Sequence, residues 1–259
     1  MSREWDAVEY EELSGPQTRW EADLLGRVSL RGDEAVIDAG CGTGRVTELL
    51  LRRLPGGTVL AVDGSEAMVG VARERFAGDA RVRVEWQDLL ELEVEELVDV
   101  IFSTATFPWI KDHALLFRRL ARALKPQGRL VAQCGGEGNI ARTRAAMEEV
   151  MDEDRFREFF VGREDPWNFA DPETTRKRLE AAGFGGVEAW LHEEYAEFGS
   201  VEELARFLKT VVLGHHLEGL PETERYPFSA EVAARLAKRG MLVVDYIRLN
   251  VLAIRSVSA

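Results

Sequence analysis

Asp38, Gly40, Gly42 and Gly44 stand at alternate positions where an apolar run, Val36-Ile37-Asp38-Ala39, breaks into the turn Gly40-Cys41-Gly42-Thr43-Gly44. A turn without Cβ atoms lets a flat or charged ligand reach the backbone. Arg45-Val46-Thr47-Glu48-Leu49-Leu50-Leu51 begins a helical pattern directly after it. The turn therefore lies between the carboxyl end of a strand and the amino end of a helix, where open α/β sheets bind ligands. A dinucleotide fingerprint requires G-x-G-x-x-G, and Arg45 occupies the place of its third glycine. Asp38 adds a carboxylate that repels a diphosphate and attracts a cation. Such a turn suits an ammonium group beside a sulfonium.

Two further carboxylates close later strands. Asp63 ends Thr58-Val59-Leu60-Ala61-Val62-Asp63 and can accept both hydroxyls of a ribose. It can equally cap the helix that follows, although Ser65 is the better cap, with Met68 just inside. A nicotinamide enzyme would also place an acid here, so Asp63 alone does not separate the classes. The third strand, Val82-Arg83-Val84-Glu85-Trp86, runs into Gln87-Asp88-Leu89, where Asp88 can accept a hydrogen bond or simply form an Asx turn.

In this register, D-x-G-x-G-x-G resembles the first cofactor motif of the class I methyltransferases that use S-adenosylmethionine. The resemblance implies a doubly wound, seven-stranded, mostly parallel sheet of the Rossmann-like methyltransferase type with helical lid insertions. It implies a cofactor site built from Asp38, Gly40, Gly42, Gly44, Asp63, Gly64, Ser65, Met68, Gln87, Asp88, Leu89 and Thr104. Within it Asp63 holds the ribose, and Asp88 takes the adenine amino group beside Leu89. Gln17 and Trp20, on an N-terminal helical pattern, either close one side of that pocket or belong to a core stripe with Leu24.

The reacting centre should lie over the fourth strand, ending Phe102-Ser103-Thr104-Ala105-Thr106-Phe107-Pro108-Trp109-Ile110. Small residues leave room there, and Phe107 and Trp109 can wall a substrate. With Lys111-Asp112-His113 the stretch resembles the S-N-A-x-x-H-W-x-x-D-H run of the trans-aconitate methyltransferase-like group, departing at Thr104 and Pro108. Methyl transfer is an in-line displacement that needs placement and exclusion of water more than covalent help. His113 can act as a general base, or be a first-turn residue behind a cap at Asp112. Adjacent His215 and His216 face different sides of a helix, which is not the spacing of a metal pair, and no metal is expected. Trp167 is a further candidate substrate contact; Arg142, Arg144 and Arg163 can hold a carboxylate or pair with nearby glutamates.

The elements that must position these residues alternate: strands at 34–39, 57–63, 81–86, 97–103 and 128–135, with helices near 43–54, 65–77 and 112–124. This alternation predicts a parallel sheet with helices on both faces. Leu124-Lys125-Pro126-Gln127-Gly128 marks a helix stop and resembles the family's L-K-P-G-G turn, with Gln127 for a glycine. We divide the chain into N-terminal helices and cofactor core (1–136), a helical insert expected as a substrate lid (137–172), and the remaining sheet (173–259) with a second helical insert at about 200–239.

The chain has 259 residues, 33 Lys plus Arg and 46 Asp plus Glu, for a net charge of −13. That balance disfavours nucleic acid and anionic membranes. Cys41 and Cys134 show no disulfide or zinc spacing. The charged start and the absence of a long apolar run imply a cytoplasmic protein without membrane association. The expected function is methyl transfer to oxygen or nitrogen of a small molecule by a monomer or homodimer. A cofactor- or partner-binding domain without catalysis is the alternative, and a nicotinamide oxidoreductase the more distant one.

Overall fold

The computed structural model describes residues 24–257, so Gln17 and Trp20 lie outside the described residues. Its strands are β1 Ala35–Ala39, β2 Thr58–Asp63, β3 Val82–Trp86, β4 Val98–Thr104, β5 Leu124–Gly135, β6 Phe184–Glu197 and β7 Val243–Arg255. They form one sheet in the order β3-β2-β1-β4-β5-β7-β6. The first five run parallel, with Ile37 opposite both Leu60 and Ile101, whereas β7 is antiparallel to β5 and β6. Buried Val, Ile and Ala runs in β1 and β2 fit strands covered on both faces.

Helices α1 Arg45–Arg53, α2 Glu66–Arg75 and α3 His113–Ala123 alternate with the strands, and α5 Pro172–Ala181 precedes β6. Between β5 and α5 lie α4 Ala141–Met151 and the short turn Arg157–Phe159. Between β6 and β7 come α6 Val201–Phe207, a wide π turn Leu208–Val212, α7 Gly214–Leu217 and α8 Glu222–Lys238.

Three apolar cores follow from the patterning. On one face Leu50 and Leu54 pack against Val36, Val59, Val100 and Phe102. On the other, Leu116, Phe117 and Leu120 of α3 meet Ile37, Ile101, Leu130 and Val251. The third joins both inserts into one roof: Met147 and Val150 of α4, Phe156, Trp167, Leu204, Phe207 and Phe228 pack with Val244 and Tyr246 of β7. The roof is stitched at Asp245. Its carboxylate accepts from Arg142 N–H at 2.8 Å and Thr143 N–H at 3.2 Å, supplying α4 with the N-terminal acceptor its own cap residue, Ile140, lacks.

The sheet positions the site by its order. β2 and β3 lie to one side of β1 and β4 to the other, so the winding reverses between β1 and β4 and opens a crevice at their carboxyl ends. No helix among the described residues is long and apolar enough to cross a membrane.

Candidate functional site

The glycine turn after β1 is fixed by its backbone. Gly40 and Cys41 N–H both donate to Val62 C=O, at 2.8 and 3.0 Å, so the turn leans on the end of β2. Gly40 has φ +82°, and a Cβ there would lie 1.9 Å from Thr106 Oγ1. Only glycine lets the turns after β1 and β4 approach so closely. Gly42, φ +55°, differs: an added Cβ would meet no protein atom within 4 Å and would enter the cavity that Gly42 borders. The Asp63 carboxylate accepts Gly42 N–H at 2.9 Å and Ser65 N–H at 2.8 Å, which holds it at the cavity rim.

That cavity, about 570 Å³, is of ligand-binding size. One end is bordered by Gly40, Gly42, Asp63, Gly64, Ser65, Met68, Asp88, Leu89 and Thr104. The opposite end is walled by Trp109, Trp167, Phe169 and Tyr246 and carries Lys111, Asn139, His215 and Arg248. Arg248 is only 5% exposed, with its guanidinium carbon 5.9 Å from the Tyr246 ring centre. Trp167 stacks on Phe169 at 5.5 Å, and Trp109 sits 6.4 Å away. The side-chain-free seat at Gly42, the pinned carboxylate of Asp63 and the apolar pair Met68 and Leu89 fit an adenosyl group bearing a cationic sulfur.

The structure draws most expected residues into this one space but sets several apart. Asp38 is fully buried at the base of the glycine turn and accepts from Thr47 Oγ1 at 2.6 Å, so its side chain supports the turn without bordering the cavity. Gly44 lies beneath the turn, where a Cβ would meet the Phe76 ring at 2.5 Å. Gln87 faces sideways, its amide oxygen accepting from Glu93 N–H at 3.2 Å. Phe107, expected as a substrate wall, is a core residue packed edge-on against Phe117 at 5.7 Å. The same burial corrects His113: its Nε2 lies 2.8 Å from Phe107 C=O, it does not border the cavity, and burial holds its pKa below the usual imidazole value. It is not placed to take a proton from a ligand there.

Asp88 forms the Asx turn, accepting Leu90 N–H at 2.9 Å, and also borders the cavity. Ser65 caps α2 through Met68 N–H at 3.3 Å, and Asp112 caps α3 through Leu115 N–H at 2.8 Å. Burial, with Asp38 and Asp63 nearby, pushes the Cys41 thiol well up, and burial raises Cys134 to about 12, so neither supplies a thiolate near neutral pH.

Arg248 and Asn139 were missed by the sequence reading. A signal existed for Arg248: Val244, Tyr246, Arg248 and Asn250 share one face of β7, a cationic residue in a buried row. Asn139 follows the glycines after β5, and its Oδ1 accepts Ile247 N–H at 2.9 Å, a tertiary tie with no local pattern.

Comparison with known proteins bears directly on this geometry. A family profile described as a methyltransferase domain matches residues 36–128, from β1 into the start of β5. Over 260 residues the chain is 30% identical to a trans-aconitate 2-methyltransferase of Rhizobium meliloti, covering 97% of this chain and 99% of that one. It is 29% identical over 263 residues to the trans-aconitate 2-methyltransferase of Escherichia coli O1:K1, with 98% and 99% covered. Among solved structures, the phosphoethanolamine N-methyltransferase 2 of Haemonchus contortus, bound to S-adenosylhomocysteine, shares the fold with a TM-score of 0.64 at 22% identity. That match covers 96% of this chain and 57% of the other. Fold, cavity and near full-length similarity agree: the chain belongs to the S-adenosylmethionine-dependent methyltransferases that act on small molecules, in the family of the trans-aconitate 2-methyltransferases.

Proposed function

We propose that the methyl acceptor is a small polycarboxylic acid and that the product is its monomethyl ester. The observation that carries this is Arg248, a buried guanidinium lining the cavity beside the Tyr246 ring, with Lys111 also in the lining. A guanidinium there can grip a carboxylate through two parallel hydrogen bonds, fixing the acid's orientation. The names of the relatives, methyltransferases of trans-aconitate, point the same way.

Bound S-adenosylmethionine supplies an electrophilic methyl group on sulfur. The chain's task is binding, orientation and exclusion of water. Asp63 takes the ribose hydroxyls, Asp88 the adenine amino group, and Met68 and Leu89 flank the ring. The roof of α4 and α6–α8 acts as the lid, and Trp109 and Trp167 hold the acceptor against the methyl donor. A carboxylate nucleophile is already ionised at neutral pH, so no general base is required. This agrees with His113 sitting in the core. The enzyme works in the cytoplasm as a monomer or homodimer, on small molecules and not on nucleic acid.

A labelled-methyl assay over di- and tricarboxylic acids, phenols and amines tests the reading. Turnover should concentrate on the acids, with Arg248→Lys raising the acceptor KM about tenfold or more, because one point charge replaces the fork. Turnover of amines alone, or an unchanged KM in the variant, overturns it.

A further inference from the structure

Residues 163–171 have no regular secondary structure, yet this strap gives Glu164, Asp165, Pro166, Trp167 and Phe169 to the cavity wall. An irregular segment has no ladder or helix to fix it, so its place depends on individual ties. Ala170 C=O accepts Glu137 N–H at 3.0 Å near its end, and three further ties run through Asn168. Its N–H donates to Pro108 C=O at 2.8 Å, and its side-chain amide donates to Ile110 C=O at 3.3 Å and Lys111 C=O at 2.9 Å. Lys111 Nζ returns a bond to Asp165 C=O. Asp165 in turn pairs with Arg144 of α4 and accepts Trp167 N–H at 2.9 Å.

Asn168 does not itself border the cavity, but Trp167 and Phe169 on either side do, as do Trp109 and the three residues Asn168 grips, Pro108, Ile110 and Lys111. We infer that Asn168 is a positioning residue for acceptor selection, its amide locking the aromatic wall from the strap to the aromatic wall from the loop after β4. The inference rests on the acceptor occupying the end of the cavity between Trp109 and Trp167, as proposed above. A neutral amide donates twice from one nitrogen, whereas an aspartate of the same shape donates nothing and would face two carbonyl oxygens. The isosteric change therefore removes the lock without removing volume.

The experiment compares the full-length protein with Asn168→Asp and with Asn168→Ser, which keeps one donor and remains readable should the aspartate fail to fold. With trans-aconitate as acceptor, Asn168→Asp should raise KM about tenfold while the Kd for S-adenosylhomocysteine stays within about twofold. The preference for trans-aconitate over bulkier tricarboxylic acids should fall, and Asn168→Ser should lie between. Amides of 163–170 should exchange hydrogen about tenfold faster, with those of β2 unchanged. Unaltered strap exchange and acceptor preference overturn the inference. So does a parallel loss of acceptor and S-adenosylhomocysteine binding at fixed preference, the mark of a merely structural residue. If wild-type protein turns over an amine or phenol and no acid, the carboxylate reading fails; preference among those acceptors and strap exchange then still decide for or against Asn168.

Discussion

At the scale of single residues, the glycine turn separates two jobs that the sequence writes in the same letter. Gly40 is glycine because Thr106 lies where its Cβ would go; an added Cβ at Gly42 would instead meet open space on the cavity rim. Gly40→Ala should therefore lower stability by about 1–3 kcal/mol through strain and displacement of the β4 turn, seen as a fall in Tm. Gly42→Ala should cost only about 1–2 kcal/mol in folding, for its left-handed backbone, yet weaken S-adenosylhomocysteine binding more than tenfold by calorimetry. Equal effects of the two on stability and on binding would erase the distinction. Asp63→Ala should weaken the same ligand by about 1.5–3 kcal/mol, the range for hydrogen bonds to a charged group. Much of the lining of this end of the cavity was legible because its parts lie at fixed offsets from strand ends. Asp38 and Gln87 were not legible as supports: alternation says which face a side chain takes, not whether Thr47 or Glu93 waits there to receive it. Phe107 and His113 failed for a related reason, since a turn of small residues can aim an aromatic ring into the core as readily as into a cavity.

At the scale of elements, the roof is the part least visible beforehand. The strands and helices of the cofactor half follow the predicted spans within two residues, except that β5 begins four residues early, at Leu124, because each is a continuous apolar run punctuated by Gly, Pro or a cap. The first insert, read as helical throughout, holds one true helix, α4, and then the strap. Its charged pattern carried no hint that loop-to-loop bonds would order the strap. Nor could periodicity show that the two inserts share one core, since that depends on contacts far apart in the chain. Phe228 sits at the centre, 5.2 Å from the Phe156 ring and 5.1 Å from Phe160. Phe228→Ala should cost about 3–5 kcal/mol in chemical unfolding and raise the acceptor KM, with S-adenosylhomocysteine affinity altered much less. A loss in both sites alike would mean that roof and cofactor half do not behave as separable units.

For the whole molecule, acid is the informative stress. His216 is buried against Trp167, its Nδ1 has no hydrogen-bond partner among the described residues, and burial is the main force pushing its pKa down to about 4. The unfolded chain protonates this ring near pH 6.5 while the folded chain does not, so stability is present above that pH and drains away as pH falls toward 4. From this ring alone the loss between pH 7 and pH 5 should be about 2 kcal/mol. Burial lowers the pKa of His113 and so gives it the same sign. Unfolding by urea at the two pH values should show a shallower slope for His216→Phe than for wild type. An identical slope would mean that water reaches the ring.

Asp245 fastens the start of α4 from a position 103 residues further along the chain than Arg142. Loops of that length close late and slowly compared with neighbouring strand–helix units. A ribosome thus delivers the glycine turn and the first five strands well before the strand that fastens α4. During synthesis the growing polypeptide therefore carries the complete glycine turn while α4 still lacks the carboxylate that fastens it.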